Sequence, residues 1–212
     1  MRTDQLIDSL AANLKPVDHR RVARRLFTAL AVGLAAVLGE RFLFFGCHEA
    51  LDVSHLISFL TQLLLLLGIV ATAAVFLLRS SYPGAEVHGL SALASFPIGA
   101  IVAFTAVGLA LTHRFISVGT IIDNSSLACL FYIPLFSIVP FVTVIWALRA
   151  GAPIHLARTG AAAGLVAGAL GASACALSCG NDMYVAVALS HGLALEIGAG
   201  LGAKLGPRLL RW

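Results

Sequence analysis

Two of the four cysteines in this chain stand four residues apart in the stretch ACALSCGND (174–182), where an apolar run gives way to a polar turn and another apolar run begins. Thiols at such a place can bond to one another, hold a soft metal, or be oxidised, and all three depend on access and on the thiolate form. If a helix carried Cys175 and Cys179 on one face, their Cβ atoms would lie about 5–6 Å apart, whereas a disulfide needs about 3.8 Å. A bridge between two helices therefore fits better than one within the turn, and Cys129 with Cys179 is the natural pair. Cys47, Cys175, Cys179, His48, His55, His113 and Asp182 together offer soft and borderline ligands for a metal ion. None of their spacings matches a structural zinc pattern. Cys175, among alanines and glycines, and Cys47 also suit the plain role of a small hydrophobe.

The elements that position these residues are transmembrane helices. Of the 212 residues 59% are hydrophobic and 11% charged, far from the quarter or so of charged residues in a soluble domain. Runs long enough to cross a bilayer, at about 20 residues each, fall at 26–45, 56–78, 89–112, 125–148, 156–178 and 184–203. The expected fold is all-α, a polytopic bundle of six transmembrane helices. The first 25 residues are polar and basic, with no apolar core of a cleavable signal, so the first helix is expected to stay as an anchor. Lys and Arg gather in the N-terminal segment (Arg2, Lys15, Arg20, Arg21, Arg24, Arg25), at the C-terminal end (Lys204, Arg208, Arg211) and in two loops (Arg79, Arg149, Arg158). These residues resist translocation, which places both termini in the cytoplasm and Cys47, Cys129, Cys175 and Cys179 at the outer side, where thiols can be oxidised. Only Arg41 and Arg114 fall on that side. The net charge of +4 then reads as a topology signal and an attraction to anionic lipid, with no direct contact to nucleic acid. The division expected is a cytoplasmic segment at 1–25, a membrane domain at 26–205 and a tail at 206–212.

Within the membrane domain, Gly160, Gly164 and Gly168 repeat at four-residue spacing, and so do Gly198, Gly202 and Gly206. Such seams let helix backbones approach where lipid gives no hydrophobic drive. Pro97, Pro134 and Pro140 predict kinks in the third and fourth helices. Glu196 falls deep in the sixth helix with His191 about a turn above it, and intramembrane carboxylates are functional candidates; a hydrogen bond to a neighbouring helix is the structural alternative.

The opening MRTDQLIDSLAANLKPV, the fourth-helix segment SSLACLFYIPLFSIVPFVTVIWALRAGAP, the GAAAGLVAGALGASACALSCGND of the fifth, and the ending LGPRLLRW resemble the NrsF-type membrane anti-sigma factors, negative regulators of sigma F. The resemblance covers almost the whole chain. It implies an inner-membrane protein that holds an extracytoplasmic-function sigma factor inactive until stress releases it. It also implies sensing of heavy metals or oxidants by a pair of periplasmic-side cysteines, whose positions match Cys129 and Cys179. Cys47 and Cys175 are not part of that pattern.

Partner binding would fall to the N-terminal segment, because the inner loops are short. There Thr3 can cap a short amphipathic helix with Leu6, Ile7, Leu10 and Leu14 on one stripe, ended by Pro16. An interfacial helix on lipid headgroups is the alternative, although the basic cluster comes only after the stripe; docking into a groove on the partner fits as well. Two other functions are weighed against the regulator: a membrane thiol redox enzyme, which favours Cys-x-x-Cys where this chain has Cys-x-x-x-Cys, and a heavy-metal carrier, which lacks cysteines on the inner half. No catalytic constellation is visible, so no enzyme activity is expected, and no cofactor beyond a transient heavy-metal ion.

Overall fold

A computed structural model describes residues 19–45, 53–81, 99, 124–151, 153–176 and 184–211. Six helices are defined there: α1 His19–Phe45, α2 Val53–Ser80, α3 Asn124–Phe136, α4 Ile138–Leu148, α5 Leu156–Ala176 and α6 Tyr184–Leu209. No strand occurs among the described residues. Four stretches are long and apolar enough to cross a membrane: Arg20–Leu43, Gln62–Ser80, Cys129–Leu148, which joins α3 to α4, and Leu156–Ala176. The expected span at 89–112 lies, but for Gly99, outside the described residues.

Two helices run past the ends expected from the apolar pattern, because charge limits a membrane span without limiting a helix. α1 starts at His19 and carries the whole basic cluster in about its first two turns, while α6 continues through Lys204 and Arg208 to Leu209. Arginine and lysine are good helix formers, so nothing local stops either helix at the edge of the hydrocarbon. α2 closes on serines. The Ser80 and Ser81 hydroxyls donate to the Leu77 carbonyl at 3.1 and 2.7 Å, and the Ser81 N–H reaches the same oxygen at 3.1 Å.

The expected break in the fourth span is present. Pro134 and Pro140 have no N–H to donate, and the chain turns at Ser137 between α3 and α4. At the turn the Ser137 N–H donates to Ile133 O at 3.0 Å and its hydroxyl to Pro134 O at 2.8 Å. Past the break, the Thr143 hydroxyl lies 2.9 Å from Pro140 O and 3.3 Å from Ala29 O, so it touches α1 as well.

α5 is the hub. It packs against α6 most extensively and also against α1, α2, α3 and α4, and 89% of its span is buried, against 22–33% for the other three. Its composition explains this position. Alanine and glycine leave backbones room to approach, and a Cβ added at Gly160 would lie 2.7 Å from Gly206 Cα, one at Gly164 2.8 Å from the Gly198 carbonyl carbon, and one at Gly171 2.7 Å from Ile133 O. The two glycine seams therefore face each other along α5 and α6, while Gly171 seats the α3–α4 break.

Contacts at the helix ends fix their direction: Arg149 just past α4 bonds to Leu209 at the end of α6, a Cβ at Gly151 would meet Ser81 just past α2, and two buried clusters lie along the bundle. One holds Leu26 at the start of α1, Leu77 at the end of α2, Leu148 at the end of α4 and Leu210 just past α6. The other holds Leu66, Cys129 near the start of α3, Cys175 near the end of α5, and Ala194. Hence α2 and the α3–α4 pair run the same way.

Candidate functional site

The end that carries Leu26, Leu77, Leu148 and Leu210 is basic. Arg20, Arg21, Arg24, Arg25, Arg79, Arg149, Arg158, Lys204, Arg208 and Arg211 all belong to helix ends or turns there, and the only described carboxylates, Glu40 and Glu196, lie elsewhere. Two of these arginines also hold the fold. Arg149 donates from Nε to the Leu209 carbonyl at 2.9 Å, tying the end of α4 to the last turn of α6. The Arg25 guanidinium lies 5.5 Å from the centroid of the Trp146 ring, a cation–π contact between α1 and α4. A charge census of the sequence finds the cluster but not these two contacts.

The thiols gather at the opposite end. Cys129 on α3 is 7% exposed and Cys175 on α5 is 1% exposed, and both belong to one buried cluster with Leu66, Ile69, Ile133, Ala172 and Ala176. The sequence placed both at the outer side but paired Cys129 with Cys179; the fold brings Cys129 and Cys175 into the same packed region. The signal that could have shown this is Gly171, one turn before Cys175, whose missing side chain lets α3 approach. Cys47, His48, Cys179 and Asp182 lie outside the described residues, as do the partner-binding candidates Leu6, Ile7, Leu10 and Leu14. Among the described residues no group of three or more His, Cys, Asp or Glu side chains is placed to hold a metal ion.

His191 is buried on α6, and the Ser190 hydroxyl lies 3.5 Å from its Nδ1. Glu196, one turn further along, does not turn inward to a neighbouring helix. It is exposed, on the side of α6 away from α5, and makes no hydrogen bond or ion pair to a described residue. Two buried oxygens also lack a hydrogen-bond partner among the described residues, Glu40 Oε2 on α1 and Thr159 Oγ1 in the first turn of α5.

Comparison with known proteins gives one family and one curated relative. The family described as "Negative regulator of sigma F" matches residues 10–212. The "Probable anti-sigma-F factor NrsF" of Azospira oryzae is 29% identical over 219 residues, covering 100% of this chain and 100% of the relative. No solved structure matches.

Proposed function

This chain belongs to the NrsF family of negative regulators of sigma F, and from that membership we propose that it is an inner-membrane anti-sigma factor that sequesters an extracytoplasmic-function sigma factor. Heavy-metal or oxidative stress, sensed at the outer end through Cys129 and Cys179, releases the partner. The family match carries this reading. The fold supports it with four helices apolar enough to span a membrane and a segregation of charge from thiols. Ten Lys and Arg stand at one end and the thiol cluster at the other, which by the positive-inside rule puts the basic end in the cytoplasm. With the expected span at 89–112 as a sixth crossing, both termini fall on the cytoplasmic side.

Cys179 follows Ala176 by three residues, so its Cα lies within about 11 Å of a residue that shares a cluster with Cys129. That reach supports a bond or a bridging thiophilic ion between Cys129 and Cys179 in one arrangement of the helix ends. To convert an off state of about 1% to near-complete release, the two arrangements must differ about 10⁴-fold in affinity for the ion, or in ease of oxidation. Covalent or thiolate–metal bonding is strong enough for that. The α5–α6 seam, with backbone contact at Gly160 and Gly164 and Gly168 against Leu195 nearer the middle, offers a path from the middle of the bundle to the basic end.

The cytoplasmic hold is assigned to the stripe Leu6, Ile7, Leu10 and Leu14. Affinity capture from native membranes tests the whole reading. The wild-type chain is expected to retain a sigma factor, and Leu6→Asp with Leu10→Asp is expected to lose it while remaining in the membrane fraction. Retention by the double variant would move the contact to the inner loops, and the absence of any sigma factor from the wild-type capture would end the proposal.

A further inference from the structure

We infer that the groove between α4 and α6 holds one anionic phospholipid of the inner leaflet, with an acyl chain along its floor and the phosphate on Arg149 and Arg208. The inference rests on the membrane location and orientation proposed above.

The groove is a consequence of the break at Ser137. α3 packs against α6, but past the break α4 packs against α1 and scarcely touches α6. The cleft left between them has a volume of about 250 Å³. Ile138, Phe141 and Val142 form one wall and Ile197, Leu201 and Leu205 the other, over a floor at Gly164 and Ala167 of α5. The lining contains no charged side chain, so it suits hydrocarbon. On α6 it runs from Ala194 to Leu205, about 16 Å at a rise of about 1.5 Å per residue. That is the depth of one leaflet in a hydrocarbon core about 30 Å thick.

Both walls end in arginine. Arg149, whose backbone is still helical, follows Val142 by two turns, and Arg208 follows Leu205 by one, so each lies on the continuation of its wall. The walls meet there, because Arg149 donates from Nε to the Leu209 carbonyl at 2.9 Å. That bond fixes the guanidinium at the mouth and leaves its Nη groups for another acceptor. Depth agrees, since the candidate span Cys129–Leu148 ends one residue before Arg149, where hydrocarbon gives way to headgroups. Arginine matches phosphate in charge and in donor geometry, and basic pockets between helices on the cytoplasmic side suit phospholipid headgroups.

Charge selects the occupant. No described carboxylate stands at that end. A second copy would bring its own basic end against this one, and the apolar run 89–112 contains no Asp or Glu. A phospholipid brings an anion and an acyl chain together at the depth where both are matched.

The full-length chain in nanodiscs of phosphatidylcholine tests this, with a trace of phosphatidylglycerol or phosphatidylcholine carrying a photoreactive acyl chain as the probe. The phosphatidylglycerol probe is expected to label residues 138–142 and 197–205 about fivefold more than the phosphatidylcholine probe, and inorganic phosphate is not expected to displace it. Arg208→Gln, which keeps the tie from Arg149 to Leu209, is expected to lower that labelling about fivefold. Val142→Trp, at an exposed site, fills the cleft while keeping both arginines and is expected to abolish it. Equal labelling by the two probes, displacement by inorganic phosphate, or undiminished labelling of either variant overturns the inference. So does a groove that neither probe labels, the result expected if the chain's own segment 82–123 fills it with Glu86 on the arginines. A chain that fails these tests yet stays in alkali-washed membranes and captures its sigma factor sinks this inference alone, whereas one washed off the membrane sinks the membrane reading with it.

Discussion

Replacing Gly164 with alanine puts a methyl group where the backbone of α6 passes. The new Cβ would collide with the Gly198 carbonyl oxygen and lie 2.8 Å from its carbon and 3.2 Å from Ala199 N. These are backbone atoms of a second helix, so no side-chain rotation relieves the contact. To restore a normal carbon–carbon separation of about 3.5 Å the axes must part by at least about 0.7 Å, and clearing the oxygen takes more, a gap that already forfeits a quarter to a half of each dispersion contact along the seam. Overpacking of this kind costs about 1–3 kcal/mol. Against it stands the better helix propensity of alanine, worth up to about 1 kcal/mol. Gly68→Ala receives that benefit without the collision, since nothing lies within 4 Å of a Cβ there. The difference between the two variants is therefore about 2 kcal/mol, equivalent to roughly 4–8 °C in thermal unfolding for a chain of this size. The measurement is unfolding of the purified protein in one mild detergent, with Gly164→Ala and Gly68→Ala side by side. Equal midpoints would mean that the glycines do not face each other.

Cys129→Ser and Cys179→Ser are each expected to abolish induction by metal or oxidant in a sigma-dependent reporter, with the double variant no worse. Cys175→Ser, buried in the wall of α5, should stay largely responsive; a normal response from Cys179→Ser would leave the turn after α5 as packing only. Arg149→Ala removes the donor to Leu209 O and should cost at most about 1 kcal/mol, since this arginine is exposed. Amide exchange at Leu209 and Leu210 should quicken about fivefold, and unchanged exchange would count against the tie between α4 and α6.

Much of the architecture is legible in the sequence because the bilayer imposes one length and one polarity. Five of the six expected spans coincide with described helices, and the kink shows in Pro134 and Pro140, which cannot complete a helical ladder. The glycine repeats disclose the α5–α6 seam, since few other residues admit backbone contact. What the sequence hides is rotation about each helix axis. Glu196 looks like an inward group because its helix is read alone, and its outward facing follows only once Gly198 and Gly202 are seen turned to α5. Cys175 looks isolated for the same reason, as its company with Cys129 depends on α3 seating at Gly171. The remaining site candidates, Cys47, His48, Cys179, Asp182 and the N-terminal stripe, are legible only as residue types at a place in the topology.

The composition that makes α5 the hub also bears on how the protein is made. Each segment leaving the ribosome is tested for partition into lipid on its own, where leucine, isoleucine and phenylalanine favour entry. α5 has three leucines, one valine and a long run of alanine and glycine, so it gains little from lipid and much from neighbours. Its entry into the bilayer is therefore driven by α1 to α4, which precede it in the chain, and is completed when α6 arrives to close the seam. A chain that stops before α6 leaves the glycine face of α5 without the backbone it packs against.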